Sequence, residues 1–86
     1  MNTSSIQIAR LAFVRDALDV ARAHNLLTEA VDRADFVAAL ERGDLDRAEA
    51  WARIVIYDLS LRCQSFDLPA LGRLVGALAE IDAVTP

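Results

Sequence analysis

Apolar residues recur along this chain at three- and four-residue intervals, the period of helices laid against a core. Ile6, Leu11, Phe13, Val14, Ala17, Leu18, Val20 and Ala21 fall on one wide arc of a helical projection. Arg15, Asp16, Asp19 and Arg22 fall opposite. This predicts an amphipathic helix from near Ser4 to about His24, opened by a capping box of Ser4 and Gln7. Phe36, Val37, Ala39 and Leu40 predict a second, shorter helix. Gly43 ends it, because glycine enters the left-handed C′ conformation cheaply. Thr28 and Asp32 are candidate caps ahead of it, and Val31 projects onto the wrong side. A turn or kink is therefore expected near residues 31–33.

A third helix is predicted from Asp44 or Asp46 to about Arg62, with acidic residues where the helix dipole favours them. Glu49–Arg53 and Asp58–Arg62 have the i,i+4 spacing of supporting ion pairs. Ser65-Phe66-Asp67-Leu68-Pro69 introduces a fourth helix, a capping residue followed by a first-turn proline. Its expected stripe is Leu68, Leu71, Leu74, Val75, Leu78 and Ile81. Residues 1–3 and 83–86 are expected to fray.

The third helix is apolar on two faces. Ala48, Trp51, Ala52, Val55, Ile56 and Leu59 form the main stripe. Ala50, Ile54, Tyr57 and Leu61 form a second stripe on roughly the opposite side. A helix apolar all round is normally covered from more than one direction. Either helix three is central, with helices one and four on one side and helix two on the other, or the second stripe meets another chain. Ala50, Ile54, Tyr57 and Leu61 are thus the candidate partner-binding residues. Tyr57 suits an interface because its ring buries area while its hydroxyl stays wet.

Composition narrows the classes. With 86 residues the chain is read as one domain, and 55% hydrophobic residues supply apolar surface enough to fold. Three Gly and two Pro are too few for a chain of many tight turns. The net charge is −4, and every basic residue is Arg. An acidic domain gives no long-range attraction to phosphate backbones or anionic lipid, so nucleic acid and membranes are poor expected partners. Arg without Lys, together with abundant Ala, suggests a GC-rich bacterial or phage origin. No apolar run is long enough for a membrane span or a signal segment, so the expected compartment is the cytoplasm.

Candidate chemistry is sparse. Cys63 is the single cysteine, and its position continues the main stripe of helix three, which favours a buried, inert thiol over a reactive one or a dyad with His24. His24 is read as a C-terminal dipole partner or packed edge residue. Asp44, Asp46 and Glu49 form a candidate acidic surface, with helix capping as the plainer explanation; their spacing is not that of a calcium loop. Gly72 and Gly76 form a G-x-x-x-G beside the apolar stripe, where a neighbouring helix would approach closely. Residues 36–55 have a helix–turn–helix outline, but Asp44 and Glu49 stand where that unit needs apolar residues, and the second helix would present acid to phosphates.

The segment Ala39-Leu40-Glu41-Arg42-Gly43-Asp44-Leu45-Asp46-Arg47-Ala48 resembles the turn between the helices of a tetratricopeptide repeat. The preceding helix lacks that repeat's aromatic and glycine positions, and a single unit cannot form a solenoid. The resemblance implies a good helical-hairpin turn. The expected molecule is an all-α, single-domain bundle of about four helices with helix three central. It is expected to be non-enzymatic, to need no cofactor or metal, and to bind a protein partner or a second copy of itself. The alternative is a dimeric nucleic-acid-binding regulator using Arg10, Arg15 and Arg22.

Overall fold

A computed structural model describes residues 3–27, 30–62 and 67–84. Four helices account for the described fold: α1 (Thr3–Ala23), α2 (Ala30–Glu41), α3 (Leu45–Leu61) and α4 (Leu68–Val84). Among the described residues there is no strand. α3 packs against all three other helices, as the central place in its patterning predicts, and α1 reaches all three as well.

Each connection has a local cause. At the end of α1, Leu26 N–H donates to Ala21 O at 2.8 Å and Asn25 N–H to Arg22 O at 3.4 Å. Asn25 sits at φ 53°, so it plays the part usually given to glycine in this closure. The same closure ends α2. Asp44 N–H reaches Ala39 O at 2.9 Å, Gly43 N–H reaches Leu40 O at 3.2 Å, and Gly43 has φ 74°. Asp44 then caps α3 by accepting from Arg47 N–H at 3.2 Å. One residue therefore closes the α2 ending and opens the next helix. Asp67 does the corresponding job for α4, accepting from Ala70 N–H at 3.0 Å.

The core is a seam of alanines plugged by larger side chains. Ala17, Ala21, Ala39, Ala48, Ala52 and Ala70 are all buried and let the helices approach closely, while Phe13, Phe36, Leu59 and Leu74 fill the space between. Leu26 and Leu27 add a plug from the α1–α2 connection, both buried.

Several boundaries and faces differ from expectation. α1 begins at Thr3, so Ser4 lies inside the helix rather than capping it. α2 runs unbroken from Ala30, with no turn at 31–33. A single off-face apolar residue does not cost a helix its backbone hydrogen bonds, so the projection of Val31 was no reason for a break. Helical backbone continues through Ala83 and Val84, where fraying is expected. On α4 the buried positions are Ala70, Leu74 and Ile81, while Leu68 and Val75 of the expected stripe are exposed. The Glu49–Arg53 pair does not form: Glu49 accepts from Arg10 on α1, and Arg53 reaches Asp82 on α4 at 3.0 Å. Thr28, Cys63, Ser65 and Phe66 lie outside the described residues.

Candidate functional site

The buried face of α3 is Ala48, Ala52, Val55 and Leu59, which points into the bundle. α2 does not cover the opposite face. It packs on the flank of α3 that carries Trp51 and Arg47, where Trp51 Nε1 donates to Asp35 Oδ2 at 2.6 Å and Arg47 Nε donates to the same oxygen at 2.7 Å. Arg47, followed by Trp51, holds the Asp35 carboxyl below the usual carboxylate range. α1 and α4 take the other flank, through Arg10 with Glu49 and Arg53 with Asp82. With the inner face and both flanks occupied, the second stripe turns to solvent. Ala50 is exposed, and Ile54, Tyr57 and Leu61 are 45%, 66% and 68% exposed. Central placement of α3 and an open second stripe therefore coexist, which corrects the expectation that helix two lies over it.

The open face does not stop at α3. Arg53 at the middle of α3 bonds Asp82 near the end of α4, and a short connection joins Leu61 to Leu68. The two helices are therefore antiparallel neighbours. Tyr57 lies one turn beyond Arg53. Leu78 and Val75 lie one and two turns back from Asp82, on the same flank of α4. Val75 and Leu68 are 47% and 59% exposed. Beside them the outward face of α4 is Gly72, Gly76, Ala79 and Ala83, all exposed and uncharged. The two-helix face is thus largely apolar, with the Arg53–Asp82 pair between its two rows. Sequence reasoning missed the α4 half because it assigned Leu68 and Val75 to the core stripe.

A Cβ built at Gly72 or Gly76 meets nothing within 4 Å, so among the described residues no neighbouring helix approaches them. The expected close crossing beside the α4 stripe is absent within the chain. Neither glycine has a positive φ, so neither is required by the backbone.

The acidic candidates are largely committed to the fold. Asp44 caps α3 and lies 3.6 Å from Arg42. Asp46 accepts from Arg10 at 2.7 Å, and Glu49 accepts from Arg10 Nε. Structure thus joins Asp46 and Glu49 to α1 rather than presenting a free acidic patch. His24 Nε2 lies 3.4 Å from Asp67 Oδ2, tying the end of α1 to the start of α4. The Asp67 carboxyl is held below its ordinary range, first by Ala70 N–H and then by His24. Two further arginines tie elements together. Arg73 makes a two-pronged contact with Asp16 at 2.6 and 2.9 Å, and Arg33 donates to Leu26 O at 3.0 Å.

A second concavity lies between α1 and α4, with Phe13 and Ile81 among its lining and Asp16 and Glu80 at its edge, about 280 Å³ in volume. It holds no constellation of nucleophile and base. Among the described residues no three His, Cys, Asp or Glu side chains are placed to hold one metal ion, and no helix is long and apolar enough to cross a membrane. No family model, curated protein or solved structure matches this chain. The functional reading therefore rests on the chain's own surfaces.

Proposed function

We propose that this chain is a small non-enzymatic protein-binding module, a regulator, adaptor or inhibitor that docks through the outward face of α3. The observation that carries the reading is the exposure of Ile54, Tyr57 and Leu61 on one face of a helix whose other sides are occupied. Large apolar side chains scattered singly on a surface are ordinary, but three at helical spacing form a contiguous patch, and contiguous patches mark interaction sites. Tyrosine at the middle of the patch fits the side-chain preference of interface centres. A nucleic-acid role has less support, because Arg10 of its candidate patch is bonded to Asp46 and Glu49 and the chain carries a net −4.

The test is co-purification from the native host, followed by mass determination of the reconstituted complex. Ile54→Asp and Leu61→Asp are expected to keep full helicity by circular dichroism and to lose the complex. Retention of the complex by both folded variants defeats the reading.

A further inference from the structure

Resting on that reading of the face as an interface, we infer that its occupant is a second copy of this chain, bound face to face by a twofold axis. Three properties of the α3–α4 surface lead there. The first is shape. α3 presents a raised row of Ile54, Tyr57 and Leu61, while the outward side of α4 is a shallow trough of Gly72, Gly76, Ala79 and Ala83. A surface holding both a ridge and a trough on adjacent antiparallel helices is complementary to itself. A twofold axis in the plane of the face, running between α3 and α4 and parallel to them, lays each ridge on the other copy's trough.

The Arg53–Asp82 bond sets the levels along the two helices. At that register Leu61 comes level with Gly72 and Gly76, Tyr57 with Gly76 and Ala79, and Ile54 with Ala79 and Ala83. The bulky residues of one helix thus stand opposite the smallest residues of the other throughout. This accounts for two exposed glycines for which the monomer shows no need, since a Cβ at either meets nothing among the described residues.

The second property is charge. The molecule is net negative, so two copies repel through most orientations. The α3–α4 face is the exception. Its charged groups are Arg53 with Asp82 and Arg62 with Asp58, pairs at 3.0 and 3.8 Å that cancel locally, and exposed Glu80 at the outer edge of the α4 row. Over the middle of the face a second copy meets charge that is already paired.

The third property is area. Ile54, Tyr57, Leu61, Leu68 and Val75 together expose on the order of 500 Å² of mostly apolar surface, the scale of an interaction patch on a small protein. The uncharged trough of α4 extends this toward the roughly 800 Å² per partner of a standard interface.

Sedimentation equilibrium of the purified full chain, from low micromolar to near-millimolar protein, tests the inference. Wild type is expected to be a reversible dimer. Gly76→Leu fills the trough where the described chain leaves open space, so the monomer keeps its helicity and melts no lower than wild type at dilutions where wild type is also monomeric. The same variant is expected to weaken the dimer on the order of tenfold or more, as does Ile54→Asp from the ridge side. A wild-type chain that stays monomeric over the whole range overturns the inference, and so does a Gly76→Leu variant that dimerises like wild type. If wild type is monomeric yet Ile54→Asp abolishes capture of a host protein, the second copy is wrong and the interface stands. If neither self-association nor capture responds to Ile54→Asp, the interface reading itself fails.

Discussion

Single residues in this fold carry two duties at once. Asp35 accepts from both Arg47 and Trp51 and so locks α2 onto α3. Its carboxyl is held low by those donors, so the folded state favours the ionised form. The resulting stability is fully present above the unfolded aspartate value of about 3.9 and is lost as pH falls through the lower folded value. Melting temperature measured against pH is expected to fall in that acid window, and Asp35→Asn is expected to flatten part of the fall. Asp67, depressed chiefly by Ala70 N–H, supplies a remaining part that the variant keeps. Arg33 has a different double role. It binds Leu26 O and, at 3.2 Å, Asn25 Oδ1, and so steadies a connection in which Leu27 holds φ 52°. A branched side chain adopts that conformation only where its surroundings over-determine it. Here Leu26 and Leu27 are both buried, and Arg33 holds the Leu26 carbonyl. None of this was legible in the sequence, since Leu26 and Leu27 fall outside every helical stripe and Arg33 reads as an ordinary surface charge.

At the level of elements, the clearest contrast is between glycines. Gly43 sits at φ 74° in a helix closure, while Gly72 and Gly76 sit in ordinary helix with open space around them. The same change therefore has opposite signs. Gly43→Ala forces a Cβ into the left-handed region and is expected to destabilise by about 1 kcal/mol. Gly72→Ala and Gly76→Ala raise helix propensity and are each expected to stabilise the monomer by up to about 1 kcal/mol. Chemical denaturation of the three variants at high dilution measures both signs, and a loss at Gly76 would show that some group of the chain does touch it. Gly43 was readable from the sequence because its signal is local: an apolar stripe stops, a glycine follows, and an aspartate opens the next helix. The α4 glycines were readable as a pair but not as to what they face.

For the whole molecule, the bonds that join elements are mostly long-range ion pairs: Arg10 to Asp46 and Glu49, Arg47 to Asp35, Arg53 to Asp82, and Arg73 to Asp16. Exposed pairs contribute little stability each, so their main effect is to specify which helix lies beside which and in what register. Stability comes from the apolar seam. Leu74→Ala, at a fully buried position, is expected to cost about 2–5 kcal/mol. Leu61→Ala, on the open face, is expected to change monomer stability by no more than about 0.5 kcal/mol. Denaturation midpoints of the two variants should separate accordingly; equal losses would mean that Leu61 belongs to the core.

Sequence by itself determined the class of this protein, the four helices, the central place of α3 and the Gly43–Asp44 hinge between α2 and α3. These follow from period, caps and propensity, all of which act within a few residues of chain. Tertiary structure alone decided that Ala50, Ile54, Tyr57 and Leu61 are open, that Leu68 and Val75 join them, and that Glu49 and Arg53 leave each other for Arg10 and Asp82. A helical projection shows that a helix has two apolar sides but not which one a neighbour covers. That choice depends on how three helices share the space around a fourth, and here the inner face and both flanks of α3 were filled before the second stripe was reached.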